Sequence, residues 1–199
     1  MLQILAKKIT AALVLSKIIS PDDMETYTYG LELLITKLVL YLLIFIIAAL
    51  TKTVIVSLLF VVMYMSLRKY TGGFHCKTAE RCLCVSLLIH ILMIVVYYLS
   101  ISTTDFILLV LSALSSVVIA IFSPVENENR PLDNGEKYKY KVKSILIMMV
   151  ILILMAVSIL LHINQLFYSS VCSLTSDAVL IILSLRRKNN EKGNIKGDR

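Results

Sequence analysis

Six long apolar runs limit the folds that are open to this chain. They lie at about 31–50, 54–67, 82–101, 106–122, 144–162 and 166–185. A helix needs roughly 20 apolar residues to cross a membrane, and helices satisfy their own backbone hydrogen bonds within lipid. Hydrophobic residues make up 58% of the chain, against about 45–50% in soluble domains. The sequence therefore predicts an all-α, polytopic membrane protein with a single integral domain, residues 1–185.

For two of the runs and for the N-terminal segment, the sequence leaves the placement relative to the membrane open. The run at 54–67 is short, so a re-entrant segment is an alternative to a full crossing. The run at 106–122 is at the lower limit of spanning length. Residues 1–20 carry lysines at 7, 8 and 17 inside an apolar pattern and show no clear small-residue cleavage site. This segment predicts an amphipathic helix on the membrane surface. A short soluble helix packed on the bundle is the alternative.

The basic residues predict which way the chain crosses the membrane. If all six runs cross, every Lys and Arg except Lys37 and Lys52 lies on one face. Cytoplasmic loops collect Lys and Arg, so both termini and both long loops are predicted to be cytoplasmic. The same bias accounts for the net charge of +7, which makes the lipid bilayer, and not nucleic acid, the predicted partner. The polar tail, 186–199, is predicted to be disordered.

One polar loop, RKYTGGFHCKTAERCLC, carries residues that suit nucleophilic catalysis. His75 and Cys82 are seven residues apart, which on a continuous helix separates them by about 10.5 Å along the axis. A base must come within about 3 Å of the thiol that it activates. Gly72 and Gly73 permit a break in the helix, and Thr78 is a candidate N-cap. The sequence therefore predicts that His75 folds back over Cys82, one turn into the third run.

The start of that helix favours a reactive thiolate at Cys82. A helix N-terminus carries partial positive charge, and Lys77 and Arg81 add full charges nearby, surroundings that favour thiolates. Cys84 is rotated by about 200° from Cys82 on a helix. Cys76 is adjacent to the histidine, and neighbouring side chains usually diverge. Neither of these cysteines is therefore expected to pair with the imidazole.

Less specific interpretations of the same residues stay open. The glycines would make a turn in any interface loop, and the basic residues would hold lipid phosphates. A thiol redox protein is a further alternative, but a cytoplasmic site without a CxxC motif counts against it. Cys172 lies in an apolar run and is predicted to be inert packing. The cysteines have no zinc-ligand spacing, so neither a metal nor a cofactor is predicted.

The loop resembles the signature of the AgrB-like family, the accessory gene regulator B membrane peptidases of Gram-positive quorum-sensing systems. The matching residues are Arg68, Gly72, Gly73, His75 and Cys82. A second segment, SPVENENRPLD, is similar to a loop of that family at Pro124, Val125, Asn129, Arg130, Pro131 and Leu132. The chain length, the number of spans and the position of both loops also agree with the family.

The resemblance implies a cysteine endopeptidase of the cell membrane. AgrB-like proteins cleave a small AgrD-like precursor peptide near its C-terminal side, through an acyl-enzyme thioester. A Cys, or in some relatives a Ser, of the same precursor then attacks the thioester and forms a cyclic thiolactone or lactone, the precursor of the autoinducing peptide. By position, the resemblance makes Cys82 the nucleophile and His75 the base and acid. A homodimer is left open.

Other polar residues each have more than one interpretation. Arg68 either holds the loop or receives a precursor carboxylate, with a lipid-phosphate anchor as the alternative. Alternating lysines precede the fifth run at Lys137, Lys139, Lys141 and Lys143. They either bind the acidic C-terminal part typical of the family's precursors or only set the topology. Asp177, inside the last run, either lines a substrate cavity or bonds to a neighbouring helix.

A different class of function competes with the peptidase. A non-catalytic small membrane transporter, or an export partner for a peptide, would account for the spans and for Asp177. It gives no reason for the Gly-Gly-x-His-x6-Cys spacing, which would then be a coincidence.

Overall fold

The computed structural model describes residues 2–72, 78–99, 102–125 and 133–197. Regular structure within these ranges is helical, which confirms the all-α prediction. A short 3₁₀ helix lies at Pro21–Asp23, and the α-helices are α1 Leu2–Leu15, α2 Met24–Leu50, α3 Val54–Thr71, α4 Ala79–Tyr98, α5 Ser102–Phe122, α6 Asn134–Leu160 and α7 Asn164–Gly197.

The predicted number of spans is confirmed in the described part of the chain. Helices α2 to α7 are each long and apolar enough to cross a membrane. The short run at 54–67 becomes α3, which continues to Thr71 and has 18 residues. That length corresponds to about 27 Å, close to the roughly 30 Å thickness of the hydrocarbon core. Large side chains such as Leu42 and Phe45 of α2 stay exposed on the outside of the protein, as a lipid-facing surface requires.

The N-terminal helix is shorter than the sequence predicts. α1 ends at Leu15, and Lys17 follows with a φ of 57°. One face of α1 is buried at Ala6 and Thr10, and the helix contacts α2. Its location at the membrane surface stays a prediction.

The C-terminal tail also differs from the prediction. α7 continues as a helix to Gly197, whereas the sequence predicts disorder from residue 186. Extending an existing helix costs far less than starting one, and the Arg, Lys and Glu residues of the tail are good helix formers. The helical extension beyond residue 186 therefore forms without a hydrophobic core of its own.

The chain forms two compact units. Unit 1 comprises Met1–Lys52 and Cys76–His90, and unit 2 comprises Thr53–His75 and Ile91–Arg199. Unit 1 contains α1, α2 and the first part of α4. Unit 2 contains α3, α5, α6, α7 and the rest of α4.

α7 is the central helix of unit 2, where it contacts α3, α5 and α6. Every residue from Phe167 to Leu174 is buried, and Ser169, Ser170 and Ser173 on this stretch have no exposed surface. Small residues let helices approach closely within a membrane. The apolar core around them is formed by Met63, Leu67, Ile119, Val125, Met148, Ile151, Leu174, Ala178 and Ile181.

Helices α3 and α7 run in the same direction. The Ser169 hydroxyl donates to the Val56 carbonyl at 2.9 Å near the start of both helices, and Arg68 meets Asp177 further along both. α6 begins beside the end of α5, where the Lys141 ammonium donates to backbone carbonyls. We call this region of unit 2, where α3 and α5 end and α6 begins, the loop end.

Candidate functional site

A buried ion pair connects α3 to α7 at the loop end. An Arg68 guanidinium nitrogen lies 3.6 Å from an Asp177 carboxylate oxygen, and the two side chains are 15% and 0% exposed. Acidic residues within membrane spans face the bundle interior and pair with other groups. The contact with Arg68 is of the kind expected if Asp177 bonds to a neighbouring helix.

The two loop segments singled out in the sequence meet at Gly72 and Val125. These residues form an isolated parallel bridge, in which the Val125 N–H donates to the Thr71 carbonyl at 2.8 Å. Gly72 has a φ of 69°, and a Cβ built there would lie 2.2 Å from the Val125 carbonyl oxygen. Glycine at position 72 is therefore required twice, once for its backbone conformation and once for the close approach of Val125.

Cys82 lies in the first turn of α4, within unit 1. The Arg81 N–H donates to the Thr78 hydroxyl at 3.4 Å, and the Cys82 N–H donates to the Thr78 carbonyl at 3.2 Å. The prediction of Thr78 as the N-cap is confirmed. Cys82 is half-buried and Cys84 is exposed, and both are free thiols. The thiol predicted to be the nucleophile is thus accessible at a capped helix start.

The partner predicted for this thiol is not among the described residues. His75 and Gly73, together with Cys76 and Lys77, lie outside the described ranges. The pairing of His75 with Cys82 stays a prediction. The structure describes both ends of that segment, at Gly72 and at Thr78.

The alternating lysines do not form one continuous patch. Because α6 is helical from Asn134, residues two apart point about 200° away from each other. Lys137 and Lys141 therefore share one face of α6, and Lys139 and Lys143 share another. The Lys141 ammonium donates to the carbonyls of Ala120 and Ile121 near the end of α5, where a cation complements the helix dipole. That contact gives Lys141 a structural role.

An aromatic contact that the sequence does not predict joins α3 to α6. The Tyr70 and Tyr140 rings are 5.6 Å apart, and the Lys143 ammonium lies 5.3 Å from the centre of the Tyr70 ring. Contacts of this kind stabilise a packed helix pair by modest amounts. The sequence carries no signal for it, because Tyr70 and Tyr140 come together only when α3 and α6 pack.

A second polar contact lies near the start of α5. The Tyr168 hydroxyl of α7 donates to the Asp105 carboxylate at 2.6 Å. Cys172, four residues after Tyr168 on α7, is buried at 6% exposure, as its predicted packing role requires. Asp105 therefore has a neutral partner, whereas Asp177 has a charged one.

The fold and the site together define the class of protein. Helices of spanning length with a buried intramembrane ion pair make the chain a multi-pass membrane protein. The family model described as accessory gene regulator B, AgrB, matches residues 6–185. The chain belongs to the AgrB family.

Several relatives agree with this family assignment. A protein of Clostridium beijerinckii is 29% identical over 64% of this chain and 63% of its own length. One of Clostridium perfringens strain SM101 is 28% identical over 78% of this chain and 76% of its own length, and one of Listeria innocua is 27% identical over 61% and 60%. Each is named "Putative AgrB-like protein". The chain thus spans less than two thirds of the Clostridium beijerinckii and Listeria innocua proteins. No solved structure matches the chain.

Proposed function

We propose that this protein is a membrane cysteine endopeptidase that cleaves an AgrD-like precursor peptide and releases a cyclic thiolactone or lactone for quorum sensing. The observation that carries the proposal is the position of Cys82. It is a free, half-buried thiol in the first turn of α4, at the cysteine position of the family's motif. Membership of the AgrB family supports the assignment.

The proposed reaction has two acyl-transfer steps. The Cys82 thiolate attacks the scissile carbonyl, the C–N bond breaks, and His75 gives a proton to the departing amine of the C-terminal fragment. A thiol or hydroxyl of the precursor then loses its proton to His75 and attacks the thioester. The ring closes and Cys82 leaves as its thiolate. A thiol attack exchanges one thioester for another, so little energy is lost.

The membrane setting favours ring closure over hydrolysis. A half-buried thiol at the edge of a membrane-spanning helix meets less water than an exposed one, and exclusion of water protects a reactive intermediate. The attacking group is tethered to the thioester, which raises its effective concentration. Both effects favour the cyclic product.

The thioester intermediate is the direct test of this proposal. Purified protein in lipid vesicles, mixed with an AgrD-like precursor and quenched in acid, is expected to carry the N-terminal part of the precursor on Cys82 by mass spectrometry. Neutral hydroxylamine is expected to release it, since hydroxylamine cleaves thioesters readily. Transport of an intact precursor without any adduct would favour the export partner instead.

We also propose that both termini and the loop at 73–77 face the cytoplasm. The support is the concentration of Lys and Arg on one face of six alternating spans. A fluorescent protein fused after Arg199 is expected to fluoresce in cells, and alkaline phosphatase at the same position is expected to stay inactive. Active phosphatase at that position would reverse the orientation.

A further inference from the structure

Two lysine side chains from different helices of unit 2 lie over one aromatic ring at the loop end. The Lys69 ammonium of α3 is 5.4 Å from the centre of the Tyr70 ring, and the Lys143 ammonium of α6 is 5.3 Å from the same centre. The Tyr140 ring packs against Tyr70 at 5.6 Å. The face of a tyrosine ring attracts cations, so two ammonium groups from two helices are held near one ring.

These two ammonium groups have no acidic partner in the described part of the chain. Among the residues that the structure describes, neither Lys69 nor Lys143 forms an ion pair with a carboxylate. The sequence of α3 contains no acidic residue, and the only one in α6, Glu136, is about two turns before Lys143. Both lysines are exposed. Like charges that are close together repel each other, and a bound anion would remove that repulsion.

The lysine pair lies where the spanning helices reach the surface of the membrane. Lys69 is in the last turn of α3, and Lys143 directly precedes the apolar run at 144–162. Leu146 and Val150 follow Lys143 on the same face of α6 and are 59% and 55% exposed. The same surface therefore presents cations at the depth of the lipid phosphates and exposed apolar side chains at the depth of the acyl chains.

We propose that Lys69 and Lys143, together with the Tyr70 ring, bind the phosphate of an anionic phospholipid of the surrounding bilayer. The two ammonium groups contact the phosphodiester oxygens, and an acyl chain lies along Leu146 and Val150. The exposed apolar residues favour a lipid over an acidic peptide or a free phosphate, because neither of those has an acyl chain to cover them. The bound lipid connects α3 to α6 at the loop end, and this site does not depend on the peptidase proposal.

The test is the binding of dioleoyl phosphatidylglycerol to the full chain in detergent micelles, without any precursor. Native mass spectrometry gives the Kd of the tightest lipid, and dioleoyl phosphatidylcholine, which has no net charge, is the reference. The site variant is Lys69→Gln with Lys143→Gln, and the matched control is Arg186→Gln with Lys188→Gln. Both variants remove two exposed positive charges from unit 2. Within the described residues, neither control side chain lies over an aromatic ring.

We expect the site variant to bind phosphatidylglycerol about 25-fold more weakly than the wild type, since each lysine near an anionic lipid changes the affinity about fivefold. The control variant is expected to stay within about twofold, as is usual for surface substitutions. Lys69→Arg with Lys143→Arg keeps both charges and is expected to bind as the wild type does. Affinity for phosphatidylcholine is expected to be equal in all four proteins.

The melting temperature in phosphatidylcholine alone is the folding check. All the variants are expected to match the wild type, because the substituted side chains are exposed. Unchanged affinity for phosphatidylglycerol in the site variant would overturn the proposal. Equal losses in the site and control variants would also overturn it, since they would reduce the effect to general attraction between charges.

Two soluble competitors distinguish the lipid from other anions with the same charge. Neither hexaglutamate nor glycerol 1-phosphate is expected to displace phosphatidylglycerol at equal concentration, because neither contacts the apolar side chains. Displacement by hexaglutamate that requires both lysines would make this surface a receptor for acidic peptides. Displacement by glycerol 1-phosphate would make it a site for free phosphate esters. Either result would overturn the assignment to a lipid.

Discussion

Replacing Cys82 with alanine is expected to abolish precursor cleavage. Alanine has no nucleophile, and removal of a catalytic nucleophile lowers kcat by a factor on the order of 10⁴ to 10⁶. The helix itself is expected to persist, since alanine is the best helix former and the Thr78 cap uses only backbone and Thr78 atoms. The measurement is the initial rate of precursor cleavage in lipid vesicles, with helicity by circular dichroism as the folding check.

Cys84→Ala is the matched control for this change. Cys84 is on the same helix but is exposed and points about 200° away from Cys82, so its loss is expected to leave the rate within about twofold of wild type. Equal loss of activity in both variants would argue that the helix start, and not one thiol, was damaged. Full activity in Cys82→Ala would remove Cys82 as the nucleophile.

Replacing Gly72 with alanine is expected to have the second large effect. The new Cβ would lie 2.2 Å from the Val125 carbonyl oxygen and 3.2 Å from its carbonyl carbon, and the φ of Gly72 is +69°. These backbone atoms cannot rotate away as a flexible side chain would, so the Gly72–Val125 bridge must open. A backbone conformation unsuited to alanine costs about 1–3 kcal/mol, and loss of the bridging hydrogen bond costs about 0.5–1.5 kcal/mol.

The expected result is a fall in thermal stability together with a loss of cleavage, because the start of the segment that carries His75 moves. Melting temperature in detergent and cleavage rate in vesicles measure the two effects. Gly30→Ala is the control, since nothing lies within 4 Å of a Cβ at that position. At this position in the second turn of α2, an alanine is expected to be neutral or to stabilise by about 0.5–1 kcal/mol. A Gly72→Ala protein as stable and active as Gly30→Ala would contradict the close approach of Val125.

Local sequence patterns were sufficient for the helices and for the cap at the start of α4. The length of an apolar run sets whether a helix crosses a membrane, so six spans were predictable. The cap at Thr78 was also predictable, because N-capping involves residues only three positions apart. The ends of α1 and α7 were less predictable, since helix ends in polar sequence depend on small differences in free energy.

The alternating lysines show where a local pattern misleads. Spacing by two suggests one surface only if the segment is extended. Once α6 starts at Asn134, Lys139 and Lys141 lie on different faces, and Lys141 contacts the end of α5. The local sequence gives no indication of that contact, which depends on how α5 and α6 pack.

Sequence alone determined that the chain is an all-helical membrane protein of the AgrB type, with Cys82 one turn into a capped helix. Only the tertiary structure decided that Arg68 pairs with Asp177 and that Gly72 meets Val125. The physical reason is distance along the chain. N-capping depends on residues three positions apart, and the length of an apolar run depends on consecutive residues. These two contacts, in contrast, exist only because α3 packs against α7 and ends beside the segment that follows α5.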